Sequence, residues 1–517
     1  MLLACGAALA LLPSAARACR VYGCDAAHSF ALRATLPGGG GARAAHTAPA
    51  AVAVAWELRG LATPQCVGGL SLGVDAVVCT DGSGPTGASG RLRVLNASGN
   101  ITYTSSAVHA PDRHAFPAIP PDFYGFYASD GPSRFCGTLF SDRMRCIAQL
   151  WTGSSFLLSA PQFFMTGYVF AGFRTGPPTV PFGKPIVFLP AMGPVLAPVA
   201  LADGVVMLVA QRQSLIAGYL LNGVIHASMR LDAVVGGRSG SFLPLAQPAA
   251  SFAASRMYLA TRFVPTNASA SASTNGDANA AGVCRVFAID VHRTMNNRFQ
   301  KAWNRTIDCG SAANAGAAPP SFTAPLFVAG GQVCTAAPGT RALQCVADPG
   351  AASMAPPQAR SLPLPSAVVA AAVPNAAGGG GNATAAVALR DGTIVVVDLG
   401  RGGTIVATIN VTALLRARAG AVTLLAPLHV ASFVDASAAG GTRPGLLLPV
   451  RTGGGRVEVV AIGKEAGGAQ DHAELLWRAP LPFGDAPVEL MTTITPRGGG
   501  ATKLLVAGNS SVVALGT

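Results

Sequence analysis

The stretch CRVFAIDVHRTMNNRFQKAWNRT, residues 284–306, holds an apolar strand, a polar turn and a second strand that carries a tryptophan. The same phrase returns with altered spelling as RLRVLNASGNITYT (91–104), GTIVVVDLGRGGTIVAT (392–408) and GRVEVVAIGKEAGGAQDHAELLWRA (455–479). A last instance, SSVVALGT, occupies 510–517. Short β-branched and aromatic runs bounded by Gly, Asp, Asn and Ser read as strands and turns. No long stretch shows a helical period, so the chain reads as all-β.

The spacing turns the phrase into a repeat. Asn96 to Asp290 is 194 residues, Asp290 to Asp398 is 108, Asp398 to Gly463 is 65 and Gly463 to Gly516 is 53. These fit three, two, one and one steps of about 53–65 residues, the size of a four-stranded blade with its loops. Tryptophans give a second ruler: Trp303 to Trp477 is 174 and Trp56 to Trp303 is 247, or three and four steps, while Trp151 falls off the grid. The fourth strand of the last blade is then supplied by AVAVAWELRG around Trp56, beside the terminal Val512–Leu515 segment. Closing the ring in this way removes exposed sheet edges.

The expected fold is an eight-bladed β-propeller, with blades at 60–108, 120–180, 181–232, 240–310, 318–363, 364–415, 420–482 and 486–517 with 49–59. A seven-bladed wheel that merges or discards 110–180 is the alternative. Residues 49–517 form one propeller domain on this reading, preceded by a lead segment at 19–48. The low-complexity runs from Asn267 and from Pro374 are loops between paired strands.

The compartment follows from three features. Residues 1–18 carry an apolar run ending in Ala16-Arg17-Ala18, an A-x-A-like cleavage signal, and read as a secretory signal peptide. Without Cys5 ten cysteines remain, and pairing in sequence order gives Cys19–Cys24, Cys66–Cys79, Cys136–Cys146, Cys284–Cys309 and Cys334–Cys345. The second, third and fifth pairs flank single hairpins, where facing Cα atoms lie about 4.5–5.5 Å apart, within reach of a disulfide. Seven asparagines open N-x-S/T sequons: Asn96, Asn100, Asn267, Asn304, Asn382, Asn410 and Asn509. Chance would supply about two. The chain is expected to be a glycosylated, disulfide-bonded protein that is secreted or resides in the secretory-pathway lumen.

The net charge of +13 does not by itself mean nucleic acid, because only four of the 36 basic residues are lysine and the arginines are scattered without interleaved aromatics. Nucleic acid is not an expected partner; acidic glycans remain open through long-range attraction. The uncharged segment from Pro185 to Ala202 holds four prolines, which a spanning helix does not tolerate, so no integral membrane segment is expected after signal removal.

The strand ending V-F-A-I-D, the turn, and the following strand with its Trp in RVFAIDVHRTMNNRFQKAW (285–303), and in part GTIVVVDLGRGG (392–403), resemble the pyrroloquinoline-quinone-like, or quinoprotein, β-propeller repeat. The resemblance implies that Asp or Asn ends each third strand, that a Gly-containing turn follows, and that a Trp on the fourth strand docks between blades. WD-repeat propellers fit less well, since Gly-His and Trp-Asp pairs are lacking, and integrin-type D-x-D-x-D-G loops do not occur. Catalytic quinoproteins place vicinal cysteines against the cofactor beside a Glu/Asn/Asp calcium shell. This chain has no adjacent cysteines and 23 carboxylates in all. The expectation is therefore a non-catalytic binding module for a protein or glycan ligand, without cofactor, metal or catalytic residues. A quinone- and calcium-dependent dehydrogenase with its site at the channel is the alternative.

Candidate site residues are few. Asp290 and Asp398, at strand ends before turns, are expected to accept backbone N–H bonds, and Trp56, Trp303 and Trp477 to pack. His109 and His114 near Asp112 lie in a Pro-flanked loop, short of the three or four converging ligands a metal needs. The Gly-rich run from Asp81 precedes a strand and is no phosphate cradle. The one local concentration of ligand-type residues is PPDFYGFYASDG from Pro120, where Phe123, Tyr124, Phe126 and Tyr127 could contact a sugar or protein, or plug a blade interface.

Overall fold

The computed structural model describes residues 30–38, 52–61, 64, 66–68, 76–81, 91–104, 117–118, 133–140, 143–152, 155–158, 162–164, 199–200, 205–210, 215–220, 225–251, 256–265, 283–290, 299–309, 325–337, 339–349, 357–373, 383–400, 402–416, 422–435, 441–464, 473–483, 488, 490–496, 500–508 and 510–516. Among these, the strands form eight separate sheets, with one short helix, Val411–Leu414. We number the sheets 1 to 8 along the chain.

Sheet 1 runs Cys66–Gly68, Ala76–Asp81, Arg91–Asn96 and Ile101–Thr104, and sheet 2 gathers five strands within 117–164. Sheet 3 runs Val199–Ala200, Val205–Ala210, Leu215–Leu220 and Ile225–Arg230. In sheet 4 the strands Arg238–Pro244 and Ala249–Ser251 share the first position, before Arg256–Pro265, Cys284–Asp290 and Gln300–Ile307; Asp232–Val235 adds an edge. Sheet 5 runs Leu326–Ala329, Gln332–Thr335, Ala342–Ala347 and Ala359–Pro363. Sheet 6 runs Val368–Ala372, Thr384–Leu389, Thr393–Asp398 and Thr404–Asn410. Sheet 7 holds Val422–Leu424 and His429–Asp435, then Gly441–Thr452, Val457–Lys464 and Ala473–Pro480. Sheet 8 runs Leu490–Ile494, Lys503–Ala507 and Ser511–Gly516, and its fourth strand is Ala53–Arg59. Trp56 stands directly opposite Ala514.

The apolar runs are long because the middle strands are buried on both faces. In Thr384–Leu389, Ala385, Val387 and Leu389 pack towards sheet 5, while Ala386 and Ala388 pack towards sheet 7. In Lys503–Ala507, Leu504 and Val506 face sheet 7, and Leu505 and Ala507 face sheet 1. The period-2 alternation of a strand thus divides its residues between two seams rather than between core and water. Each fully buried aliphatic side chain contributes about 1.5–3 kcal/mol, so every seam is a small hydrophobic core. Such cores join sheets 3 and 4, 4 and 5, 5 and 6, 6 and 7, 7 and 8, and 8 and 1.

One irregularity recurs. Where the third and fourth strands pair, the fourth skips one residue: Ala55, Thr102, His226, Ala302, Val406 and Leu476 in sheets 8, 1, 3, 4, 6 and 7. A bulge bends the strand and increases its twist, and it spoils the outer edge as a template for another strand. The residue after the bulge is Trp56, Tyr103, Ala227, Trp303, Ala407 or Trp477. Within the segment expected to precede the wheel, Ala31–Leu36 forms a strand parallel to His429–Asp435 of sheet 7.

Candidate functional site: the seams and the two ends of the sheets

The tryptophans fasten one sheet to the next. Trp56 of sheet 8 donates its indole N–H to the Ala97 carbonyl of sheet 1 at 3.0 Å, and Lys503 donates to the same oxygen at 2.9 Å. Gly99, with φ +85°, closes the turn below, and a Cβ there would stand 2.6 Å from the Trp56 ring. Trp303 of sheet 4 donates to Asp348 Oδ1 of sheet 5 at 3.3 Å. Ala97 and Asp348 both follow the third strand of the receiving sheet. Sheet 8 has no turn between its third and fourth strands, and there Trp477 donates to the Pro37 carbonyl instead, at 2.9 Å. Pro37 is placed by the parallel strand Ala31–Leu36.

At the seam between sheets 4 and 5 the acceptor is a buried carboxylate with three donors. Asp348 accepts from Arg256 Nη1 and Trp303 Nε1 on one oxygen and from the Tyr258 hydroxyl on the other. Arg256 is 4 % exposed, and its Nε donates to Asp290 Oδ1 at 2.5 Å. Burial alone would lower the pKa of Arg256, but hydrogen bonding to Asp290 and the two carboxylate charges outweigh it and hold the guanidinium protonated. Burial, then the hydrogen bond to Asp348, pushes the Tyr258 hydroxyl well above the usual phenol range. A guanidinium and phenol fixed in their protonated forms are braces for the seam, not proton-transfer groups. Asp290 accepts from Arg256, whose charge needs a partner in the seam; the turn it was expected to cap, residues 291–298, lies outside the described residues. Asp398 does cap its turn, accepting from Gly400 N at 2.9 Å, and Asn96 does likewise from Ser98 and Asn100 N.

The other sequence-derived candidates are distributed as follows. Cys66–Cys79 and Cys334–Cys345 are disulfides between directly facing residues of hairpins, each with Cα atoms 4.1 Å apart. Cys284 joins Cys309 across the edge of sheet 4, with Cα atoms 5.3 Å apart. Cys136 and Cys146 face each other in register on adjacent strands. Asn100, Asn304 and Asn410 are exposed and Asn96 is half-buried. Asn410 caps the short helix by accepting from Ala413 N at 2.9 Å. The signal peptide, Cys19, Cys24, Asn267, Asn382, Asn509, His109, Asp112, His114 and the aromatic group Phe123, Tyr124, Phe126 and Tyr127 lie outside the described residues. Among the described residues no three His, Cys, Asp or Glu side chains are placed to hold a metal ion, and no helix is long and apolar enough to cross a membrane.

A polarity of the third strands escapes a reading by spacing alone. Arg285 is the second residue of the third strand of sheet 4, and Arg91, Arg341, Arg390 and Arg456 stand at or just before the start of a third strand, in sheets 1, 5, 6 and 7. Asn96, Asp290, Asp348 and Asp398 stand at or just after its end. The signal was present as R-to-D runs such as CRVFAID and RDGTIVVVD, and it surfaces only when each run is aligned from turn to turn.

No protein-family model matches the chain, and no curated protein sequence matches it. Among solved structures, Sqt1 from Chaetomium thermophilum superposes with a TM-score of 0.50 at 13 % identity, over 90 % of this chain and 98 % of that one. Sqt1 from Saccharomyces cerevisiae gives 0.45 at 10 % identity over 90 % and 98 %, and BamB from Moraxella catarrhalis 0.40 at 11 % over 90 % and 100 %. Sqt1 is a propeller, and the likeness to it at this level of identity shows fold alone. The chain is an all-β propeller.

Proposed function

We propose that the chain is a secreted or lumenal, disulfide-stapled and N-glycosylated eight-bladed wheel that works as a non-catalytic binding module. The observation that carries this reading is the pairing of Ala53–Arg59 with Ser511–Gly516, which puts strands from opposite ends of the chain in one sheet. Sheet 8 then packs on sheet 7 through one face and on sheet 1 through the other, the arrangement a closed ring needs. The separate sheet within 117–164 favours eight blades over seven. A rigid ring of this kind holds its turns at two faces, where a protein or glycan ligand can be met by several blades at once.

Three disulfides fit an oxidising compartment, and the exposed Asn100, Asn304 and Asn410 can carry glycans without disturbing a seam. The quinoprotein resemblance belongs to the repeat; the same wheel serves binding and catalysis in that family. Secretion of residues 19–517 from a eukaryotic host, followed by glycan-array and pull-down screening, tests the binding role. Absorbance and metal analysis of that preparation separate it from the enzyme: bound quinone with stoichiometric calcium overturns the proposal. Mass spectrometry of the unreduced protein reads the cysteine pairing and sequon occupancy together.

A further inference from the structure

We infer that the face of the wheel where the third strands begin binds an extended anionic polysaccharide, sulfated or carboxylated. The inference rests on the closed-wheel reading, because only sheets sharing an axis put the same strand ends on one face. All third strands run in the same sense between their neighbours, so the turns into them emerge together with the ends of the fourth strands. Arg341, Arg390 and Arg456 lie in the turns into the third strands of sheets 5, 6 and 7. Arg230 ends the fourth strand of sheet 3, and Arg416 follows that of sheet 6 beyond the helix. All five are exposed, and among the described residues none of their guanidiniums makes an ion pair or a hydrogen bond.

The described carboxylates on this face, Glu57, Asp232, Asp308, Asp391 and Glu458, are fewer than its arginines. Glu57 pairs with Arg59, while Asp391 and Asp232 accept from the Thr393 and Ser241 hydroxyls, each at 2.6 Å, and keep their charge. The acidic ends of the third strands lie on the opposite face, where Asp290 and Asp348 are taken up by Arg256, and Glu474 is taken up by Arg443. Among the described residues, exposed arginines without a partner are thus concentrated at the face where third strands begin, against Lys301 and Arg360 at the other.

The chemistry of the ligand follows from the type and spacing of these groups. A guanidinium presents a planar fork that matches the oxygens of a sulfate or carboxylate. The five arginines are distributed over four sheets instead of converging on one point, which suits a polymer crossing several blades rather than a single small anion. Screening over about 8 Å makes each contact local, so a chain gains affinity by adding contacts. A protein partner would use buried aromatic anchors. The large hydrophobics exposed on this face among the described residues are Val234 and Val264, with no aromatic.

The test measures binding of the secreted full-length protein to a heparin-like sulfated polysaccharide and to polygalacturonate over a series of salt concentrations. Poly-glutamate and single-stranded DNA serve as the other polyanion arms. The pair Arg390→Ala/Arg456→Ala is compared with Lys301→Ala/Arg360→Ala, which removes equal charge from exposed residues where fourth strands begin, on the other face. The expected result is salt-dependent binding to one or both polysaccharides, weakened about tenfold by the first pair and less than about twofold by the second. The slope of log affinity against log salt should fall by about 1.4 in the first pair alone.

Equal losses in both pairs, no polysaccharide binding by the parent, or tighter binding of poly-glutamate or DNA would overturn the inference. Small-angle scattering of the parent protein reports separately on the wheel. A closed disc with no polysaccharide binding sinks this inference alone; an open, elongated chain sinks the eight-bladed reading as well.

Discussion

The seam between sheets 4 and 5 and the seam between sheets 8 and 1 fasten the same tryptophan position in two ways. In the first, Trp303 shares a buried carboxylate with an arginine and a tyrosine. In the second, Trp56 shares a backbone carbonyl with a lysine. A carbonyl is supplied by any residue in the turn and carries no charge to neutralise. A buried carboxylate needs its counter-charge, and once Arg256 is in place the two are mutually dependent. The comparison teaches that equivalent joints in one repeat can have very different sensitivity to mutation: the charged joint is brittle and the backbone joint forgiving.

The widest separation is expected from Asp348→Ala, which removes one of the two carboxylates paired with the buried Arg256 and the acceptor of Tyr258 and Trp303. Chemical denaturation should show a loss of about 3–5 kcal/mol, whereas Asp348→Asn, which keeps an acceptor oxygen, should lose less. A loss under about 1 kcal/mol for the alanine variant would erase the contrast.

A third kind of joint titrates. His429, fully buried in sheet 7, has its pKa lowered to about 3 by desolvation, against the opposing effect of its contact with the Phe30 carbonyl. The unfolded chain therefore takes up the proton first, near pH 6.5. The stability tied to the neutral ring is complete above about pH 6.5 and drains as pH falls towards 3, by at most about 4 kcal/mol. Thermal melts of the parent against His429→Leu between pH 7 and pH 4 check this; the variant should show the shallower decline, and parallel curves would remove His429 from the account.

Within the backbone joint, Gly99→Ala is the severe test. It combines a positive φ with a Cβ pressed into the Trp56 ring and should cost about 2–3 kcal/mol by denaturation. Trp56→Phe should be milder, about 1 kcal/mol, since the ring's apolar packing is largely kept and Lys503 still serves the Ala97 carbonyl. If Trp56→Phe proved as damaging as Asp348→Ala, the distinction between the joints would fail.

Much of this architecture could be read without coordinates. The eight segments drawn from spacing each hold a sheet, with sheets 2 and 4 starting a few residues earlier, and the pairing of the strand around Trp56 with the last strand was visible as a missing fourth strand. Repeats are legible because each one must make the same strands and turns from local residue types. The parallel strand Ala31–Leu36 was not legible, since it belongs to no repeat and its register with His429–Asp435 is a long-range choice. The bond from Arg256 to Asp290 was equally illegible, because a strand-end Asp looks alike whether its partner is a backbone N–H or a distant arginine.

Residue pattern alone determined that this chain is all-β, repetitive and rich in facing cysteines, because periodicity and turn chemistry act over a few neighbouring residues. Tertiary structure decided which side chains meet across the seams and that Pro37 stands in for a turn sheet 8 lacks. The reason is physical: hydrogen bonds and ion pairs depend on distances of about 3 Å, and residues 45 or 440 positions apart acquire such distances only when the sheets pack.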